Sequence, residues 1–381
     1  RRLTSTPNHT LTNQHNEMKI KNATLVFIAL LNVFSFQLLA QTSNYSELIA
    51  KSADKIEQKV IAWRHDIHQN PELGNWEFRT AELMAKHLQS LGIEVKTKVG
   101  VTGVVGILKG DHPGPVIALR ADMDALPVEE INDLPFASKV KTMYNGKETS
   151  VMHACGHDAH VAILMGVAEI LTGMKKDLKG TVKFIFQPAE EGAPVGEEGG
   201  AYLMVKEGVM ENPKVDVIFG LHMGSQLEVG NISYRPGGCL AGVGDFKITV
   251  KGKPSHGSKP WFSVDPILTA SQIVVSLQQI VSRNVNLTEN AAVVTVGAIN
   301  GGNRSNIIPS QVEILGDVRA FTNEDETLIY NRIKQIAEKT AEAAGATAVV
   351  EVPYGVKYPV TFNHLALTNT MLASLQKSAG M

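Results

Sequence analysis

The chain of 381 residues lacks the features that mark several common classes of protein. It has two cysteines, Cys155 and Cys239, so no disulfide framework can hold it and its stability has to come from packing. Its formal net charge is −2 and no basic run stands out, which argues against a nucleic-acid-binding surface. A hydrophobic content of 44% is ordinary for a globular protein, and the length suggests two domains or one large one.

Long apolar runs are also scarce, and the most prominent lies near the start of the chain. From Met18, "MKIKNATLVFIALLNVFSFQLLAQTS" has a short basic start, an apolar stretch and a cleavage point at Ala40. The stretch is too short and too interrupted for a membrane span, and polar, helix-forming sequence follows at once, which disfavours a buried helix or an anchor. We therefore expect extra upstream sequence over residues 1–17, a signal peptide over 18–40, and an exported protein, periplasmic or secreted. We expect no stable membrane span after cleavage.

Beyond residue 41, nearly apolar strand segments alternate with helical segments. Four segments have the pattern of buried strands: "VVGIL", "PVIALRADMD", "GTVKFIFQPAEEG" and "VDVIFGLHMG". Between the second and third lies "HDAHVAILMGVAEILTGM", whose apolar residues recur at helical spacing. This alternation predicts an α/β domain over residues 41–236, with a mostly parallel sheet covered by helices.

After Pro236 the pattern changes. "DFKITVKG" alternates apolar and polar residues, and a helical segment, the strands "AAVVTVGAI" and "SQVEILGDVRA", another helix and the strand "TAVVEV" follow. The order β-α-β-β-α-β predicts a small ferredoxin-like domain over residues 237–352. Residues 353–381 begin another helix, which we interpret as the start of a segment returning to the first domain. We expect the chain to be truncated there.

Polar side chains follow the strands of the first domain at the point where each strand ends. Because the carboxyl ends of parallel strands meet at one edge of a sheet, these side chains are expected to lie close together, and the "MHACGHDAH" loop can reach the same edge. Histidine nitrogen, cysteine thiolate and carboxylate oxygen all bind zinc, and manganese or nickel can replace it. The sequence therefore predicts a metal site built from Asp122, Asp124, Cys155, His157, Glu190, Glu191 and His222.

The pair Glu190 and Glu191 has a further implication. On extended backbone two adjacent side chains point in different directions, so one carboxylate can hold a metal while the other moves protons. Metal-assisted hydrolysis requires this division of roles.

Each of these residues alone has a more ordinary interpretation. His222 alone would be a satisfied core histidine, Cys155 a small buried hydrophobe, the two glutamates a solvated turn, and the two aspartates loop or helix caps. Only their joint placement favours a metal site. We interpret the flanking His153 and His160 as capping, packing or supporting hydrogen-bond residues.

Six motifs together resemble one known family. "RHDIHQNPELGNWEFRT", "LRADMDALPV", "MHACGHDAH", "PAEEG", "FGLHM" and "NIIPSQVEILGDVR" are similar to the amidohydrolase branch of the M20 metallopeptidase family, over a range from about Val60 to the end of the chain. That branch includes hippurate hydrolases, N-acyl amino acid amidohydrolases and indole-acetyl amino acid hydrolases. The resemblance implies a catalytic domain with two divalent metal ions and an inserted lid domain that also mediates dimerisation.

The resemblance also implies a role for each matching residue of the first domain. Glu190 matches the general base, and Asp124 matches the aspartate that supports the metal centre. Asp122 stands where the wider family has a histidine and is left unassigned. The implied metal ligands are Cys155, His157, Glu191 and His222. The family's last ligand, a C-terminal histidine, is expected beyond residue 381.

In the lid, the resemblance implies a different set of roles. His256, in "GKPSHGSKPWFSVDPI", would reach a neighbouring subunit's active site and stabilise the tetrahedral oxyanion, although a loop histidine is more often without a role. Asn306 and Arg319 match residues that face the substrate, and an arginine suits a free carboxylate, although one at a strand end is usually just solvated.

These expectations lead to one principal functional hypothesis and two alternatives. The principal hypothesis is metal-dependent hydrolysis of an N-acyl amino acid, a small-molecule substrate, to a carboxylate and a free amino acid by a homodimer that binds no nucleic acid. The first alternative is a dipeptidase or carboxypeptidase of the same wider family. The second is a non-catalytic metal- or ligand-binding protein, which would need no general base, so the presence of Glu190 beside Glu191 argues against it.

Overall fold

The computed structural model describes residues 45–378, except for the side chain of Val356. The predicted signal peptide and upstream segment lie outside this range. Within it, no helix combines the length and the apolar character needed to cross a membrane. The contacts divide the chain into two units, one running up to Gly224 and the other beginning at Ser225.

The first unit is built on a five-stranded sheet. Its strands are β1 (Glu94–Val99), β2 (Gly103–Lys109), β3 (His112–Asp122), β6 (Lys179–Gln187) and β7 (Val217–Gly220), in the spatial order β1-β2-β6-β3-β7. β3 is parallel to both β6 and β7, whereas β2 is antiparallel to both β1 and β6. The sheet is therefore mixed, and the expectation of a mostly parallel sheet is confirmed only for the pairings of β3, β6 and β7. β1 and β2 are joined by three residues, and so short a connection permits only antiparallel neighbours.

Helices cover both faces of this sheet. On one face lie α1 (residues 45–69), α2 (Phe78–Ser90) and α3 (His157–Gly173), and the core between them and the sheet contains the buried Phe184 and Phe186. The opposite face carries α4 (Gly200–Lys206), where Ile185 packs with Met204. This alternation of side chains along β6 buries both faces of the strand, which explains its nearly continuous apolar sequence. A hairpin of β4 (Lys141–Tyr144) and β5 (Lys147–Ser150) completes the unit.

The second unit contains a four-stranded antiparallel sheet in the order β11-β13-β9-β14, packed against two helices. Its elements are β9 (Gly242–Lys251), α5 (Pro266–Arg283), β11 (Ala292–Asn300), β13 (Gln311–Ala320), α6 (Asn323–Ala343) and β14 (Thr347–Tyr358). The predicted β-α-β-β-α-β order is confirmed. Phe246, Ile248 and Val250 of β9 are fully buried in the core, as the alternating pattern predicts.

Shorter elements lie around this sheet. β8 (Gly237–Leu240) pairs with β15 (Thr361–Asn363), and β10 (Ser255–His256) pairs with β12 (Ile307–Ile308). The short 3-10 helix Pro260–Phe262 follows β10, and helix α7 (Leu365–Ser378) closes the described chain.

Candidate metal centre

The three parallel strands of the first unit bring polar residues to one edge. β3 ends at Asp122, β6 leads into Glu190 and Glu191, and β7 leads into His222. His157, the first residue of α3, comes to the same place. The predicted convergence of these segments is confirmed. Three overlapping sets of side chains have ligand atoms within 4.8 Å of one another: Cys155, His157 and His222; Asp122, His157 and His160; and His157, Glu190 and Glu191.

His157 is common to all three sets and is fully buried. Its Nδ1–H donates to the main-chain carbonyl of Asp124 at 2.8 Å, which leaves Nε2 facing the carboxylates of Asp122, Glu190 and Glu191 at 3.6, 3.8 and 3.9 Å. Burial alone would lower the pKa of His157, but the carboxylate of Asp124, 3.3 Å from Nδ1, and the charges of Asp122 and Glu190 outweigh burial and raise it to about 9. The imidazole therefore lies in a strongly negative environment.

The carboxylates of Glu190 and Glu191 both face His157. The expectation that they point in different directions was wrong, because the backbone there is not extended. It bends through Ala189, which has a φ of +47°, and residues 190 and 191 lie in the bend. Burial, together with the nearby charges of Asp122 and Glu191, raises the pKa of Glu190. A raised pKa suits a carboxylate that accepts and returns a proton near neutral pH.

Cys155 and His222 lie on the open side of the cluster. The Sγ atom of Cys155 is 3.5 Å from Nε2 of His222, whose Nδ1–H donates to the carbonyl of Met223 at 2.8 Å. Burial, and then the neighbouring Glu191 and Glu190, raise the pKa of the Cys155 thiol to about 12. The thiol therefore keeps its proton unless a cation supplies compensating positive charge.

The residues present fit a divalent cation. Carboxylates crowd around one imidazole, and nitrogen, oxygen and sulfur donors lie within coordinating distance of one another. The same environment that raises the pKa of both His157 and Cys155 would be neutralised by a bound cation. Thiolate, imidazole and carboxylate together form a donor set that zinc and similar ions accept.

Asp124 supports the cluster through contacts with Glu191 and His157. Its Oδ2 accepts the main-chain N–H of Glu191 at 2.8 Å, and its Oδ1 lies 3.3 Å from Nδ1 of His157. It therefore orients the two segments that carry these side chains. This geometry agrees with the supporting role that the resemblance implies.

Asp122, which the sequence left unassigned, is also fully buried in the cluster. It lies 2.7 Å from Nη1 of Arg120 and accepts a hydrogen bond from Nδ1–H of His160 at 2.6 Å. Burial opposes ionisation, but the His160 hydrogen bond and the Arg120 charge keep the pKa of Asp122 below its usual range. Nε2 of His160 in turn accepts the N–H of Met223 at 2.8 Å, so both its nitrogens are engaged and it supports the site through hydrogen bonds.

His153 is buried against the same loop. It does not cap α3, which begins after Gly156 without a side-chain cap. Its ring lies 6.3 Å from that of His68, and among the described residues neither of its nitrogens has a hydrogen-bond partner. Burial lowers its pKa to about 4, so it is a neutral packing residue.

The remaining predicted residues, His256, Asn306 and Arg319, lie in the second unit. The exposed His256 ends β10, where its Nδ1 is 2.8 Å from Oγ of Ser258. The next residue, Gly257, donates its N–H to the carbonyl of Asn306 at 2.8 Å, so these two segments are neighbours. Arg319 lies on β13 and pairs with Asp317 at 2.9 Å. Their roles toward a substrate stay predictions.

Two residues near the cluster were missed by sequence reasoning. Arg120 lies beside Asp122, and its Nε also donates to Gln187 at 2.9 Å. Glu77 is a fully buried carboxylate whose Oε1 accepts the N–H of Ala189. Arg120 lies in "LRADMDALPV" and Glu77 lies in "NPELGNWEF". The residues around them in the sequence do not indicate these long-range contacts.

Comparison with known proteins identifies the family. Residues 118–381 match Peptidase family M20/M25/M40. The chain belongs to this family. It is similar to the IAA-amino acid hydrolase ILR1-like 4 of Arabidopsis thaliana, with 43% identity over 81% of this chain and 67% of that protein. It is also 38% identical to the N-acetyl-L-cysteine deacetylase of Bacillus subtilis, over 85% of this chain and 73% of that protein.

Other M20 relatives carry different names. The thermostable carboxypeptidase 2 of Saccharolobus solfataricus is 39% identical over 86% of this chain and 80% of that protein. Among solved structures, the YxeP protein of Bacillus subtilis, described as a dinuclear metal binding peptidase from the M20 family, matches with a TM-score of 0.69 and 36% identity. That match covers 86% of this chain and 80% of the other.

Proposed function

We propose that this M20 protein hydrolyses the amide bond of N-acyl amino acids, releasing a carboxylate and a free amino acid. The observation that carries the proposal is the pair of adjacent carboxylates in the bend, Glu190 and Glu191, both within 4 Å of Nε2 of His157. One carboxylate can hold a cation while the other remains available to move a proton. The N-acetyl-L-cysteine deacetylase relative supports the substrate class.

The cation site would be formed by four residues: Cys155, His157, Glu191 and His222. Two divalent ions are proposed, in line with the dinuclear description of the YxeP protein, with zinc, manganese or nickel as candidates. When bound, such ions polarise the substrate carbonyl and make water more acidic.

The protein's own groups carry the proton. Glu190 accepts a proton from the attacking water and returns it to the leaving amine, a role that suits its raised pKa. Asp124 keeps Glu191 and His157 in place during this exchange. We further propose that His256 stabilises the oxyanion in a neighbouring subunit's active site and that Asn306 and Arg319 bind the substrate through its carboxylate or other polar groups.

The first test is Glu190→Gln, assayed for release of amino acid from N-acetyl and N-benzoyl amino acids. We expect a loss of about 100-fold or more in kcat with unchanged metal content, because Gln keeps the shape but cannot accept the proton. Glu198→Gln is the matched control, since this exposed glutamate of the same loop pairs only with Lys206 among the described residues. Full activity of Glu190→Gln would contradict the mechanism.

The carboxypeptidase relative favours a second candidate, release of a C-terminal residue from peptides. Comparison of N-acetyl amino acids with N-acetylated tripeptides separates the two, because the preferred class shows the higher kcat/KM. Bound metal without turnover of either class would favour a metal-binding protein instead.

Localisation and assembly are also proposals. The pattern from Met18 to Ala40 supports export to the periplasm or outside the cell. The mass of the protein recovered from fractionated cells would test this proposal. A homodimer formed through the predicted lid, residues 237–352, would be tested by light scattering of the purified protein.

A further inference from the structure

The motif "NPELGNWEF" contains a buried carboxylate that the proposed mechanism does not use. Glu77 is fully buried, and among the described residues no cationic side chain forms an ion pair with it. Its Oε2 accepts the hydroxyl of Thr102 at 2.5 Å, and its Oε1 accepts the main-chain N–H of Ala189 at 2.7 Å. Burial raises its pKa to about 7. Burying a carboxylate is unfavourable unless it accepts hydrogen bonds. An apolar side chain at position 77 could not accept the N–H of Ala189 or the hydroxyl of Thr102.

The group that Glu77 holds is the bend before the proposed base. Ala189 adopts a φ of +47°, a left-handed conformation that residues with a side chain rarely take. Two glycines enclose the bend: a Cβ on Gly74 would lie 2.3 Å from the carbonyl oxygen of Gly192, and one on Gly200 would lie 2.8 Å from that of Ala189. The bend is therefore locked by close backbone contacts as well as by the carboxylate.

The two peptide groups that flank Glu190 are held in the same way. The N–H of Ala189, before it, donates to Glu77, and the N–H of Glu191, after it, donates to Asp124. Two buried carboxylates thus fix the backbone on both sides of the proposed base. Asp124 also contacts His157, whereas the side-chain hydrogen bonds of Glu77 go to Ala189 of the bend and to Thr102.

We propose that Glu77 is a positioning residue that sets the conformation of Ala189 and so aims the carboxylate of Glu190. The proposal rests on the proposed role of Glu190 as base. It predicts that the acceptor oxygen of residue 77 matters more than its charge, because the contact with Ala189 is a neutral peptide N–H.

The test compares Glu77→Leu, which removes the acceptor, with Glu77→Gln, whose amide oxygen can still accept from Ala189 while its NH2 donates to Thr102. We expect Glu77→Leu to lower kcat by roughly 10- to 100-fold with little change in KM or metal content, since a displacement of about 1 Å has effects of this size. Glu77→Gln should stay within about threefold of the wild type, because it restores the hydrogen bond. Glu72→Gln is the matched control, because Glu72 accepts N–H groups of Arg79 and Thr80 at the start of α2 instead.

A double-mutant cycle separates positioning from general damage. If Glu77 acts through Glu190, Glu77→Leu in the Glu190→Gln background causes no further loss of kcat. A loss by the same factor in both backgrounds would overturn the proposal, as would a wild-type kcat in Glu77→Leu.

Hydrogen exchange at the Ala189 amide provides a readout that needs no activity. We expect exchange at least about tenfold faster in Glu77→Leu than in the wild type and Glu77→Gln, and unchanged exchange would overturn the proposal. If the wild type hydrolyses no substrate, the proposed function fails, while this measurement still decides whether Glu77 holds the bend. If Glu77→Leu does not fold, Thr102→Val removes one anchor of the carboxylate and should also speed Ala189 exchange; no change there would contradict the proposal.

Discussion

At the scale of single residues, Cys155 gives the most direct test of cation binding. Its thiol pKa, raised to about 12, means that the metal-free protein holds this proton at any ordinary pH. Coordination requires the thiolate, so binding must release the proton. We expect zinc added to the metal-free protein at pH 8 in weak buffer to release about one proton fewer from Cys155→Ala than from the wild type.

The control for this experiment is Cys239→Ala, a partly buried cysteine of the second unit. It should release as many protons as the wild type. Equal proton release from the wild type and Cys155→Ala would mean that the thiol does not bind the ion.

The residues of the cluster could be predicted because side chains able to bind a metal follow the ends of recognisable strands or share one short motif. Glu190, Glu191 and His222 each follow a recognisable apolar strand, and Cys155 and His157 share one short motif. Glu77 could not be predicted, because its partner Ala189 is 112 positions away and the contact depends on tertiary packing. The common direction of the two glutamates also escaped prediction, since the positive φ of Ala189 is unusual for a residue other than glycine.

At the scale of elements, strand β6 contains an unusual buried lysine. Lys183 is 2% exposed, and its Nζ donates to the carbonyls of Val209, Glu211 and Pro213 at 2.8–2.9 Å. These three acceptors belong to the segment that leads into β7. Lysine thus satisfies carbonyls that an apolar side chain would leave without partners.

Lys183→Met should therefore destabilise the first unit, although methionine fills a similar volume. We expect a loss of about 3 kcal/mol in the free energy of unfolding, measured with urea, and faster hydrogen exchange over residues 208–214. Lys179→Met, an exposed position of the same strand, should change stability by less than about 0.5 kcal/mol. Equal stability of the two variants would show that the lysine does not hold this segment.

The strands themselves were predictable, but their order was not. Each apolar segment, such as "VKFIF", is a strand, because its alternate side chains are buried on opposite faces of the sheet. The antiparallel placement of β2 between β1 and β6 depends on pairings distant in the chain, which local pattern does not specify. In the second unit the alternation in β9 was sufficient to predict the strand. One face of this antiparallel sheet is buried, so buried and more exposed side chains alternate along the strand with a period of two.

At the scale of the whole molecule, the two units differ in what they contribute. The four proposed ligands within this sequence belong to the unit that ends at Gly224, and each unit has its own buried core. A ligand that binds only the folded state stabilises it by RT ln(1 + [L]/Kd), about 2.7 kcal/mol at 100 times Kd. A cation should therefore stabilise the first unit directly.

A substitution in the core of the second unit tests whether the two units are stabilised separately. Ile248→Ala removes a fully buried side chain from the core of the second unit and should lower its stability by about 3 kcal/mol, whereas Ile299→Ala, at a 48% exposed position of β11, should cost much less. Neither substitution should alter the metal content. Removal of the cation by a chelator should instead speed hydrogen exchange within residues 45–224. It should not change the loss of stability that Ile248→Ala causes in the second unit. If chelation and Ile248→Ala speed exchange in the same segments, the two units unfold as one cooperative body, and the cation stabilises both.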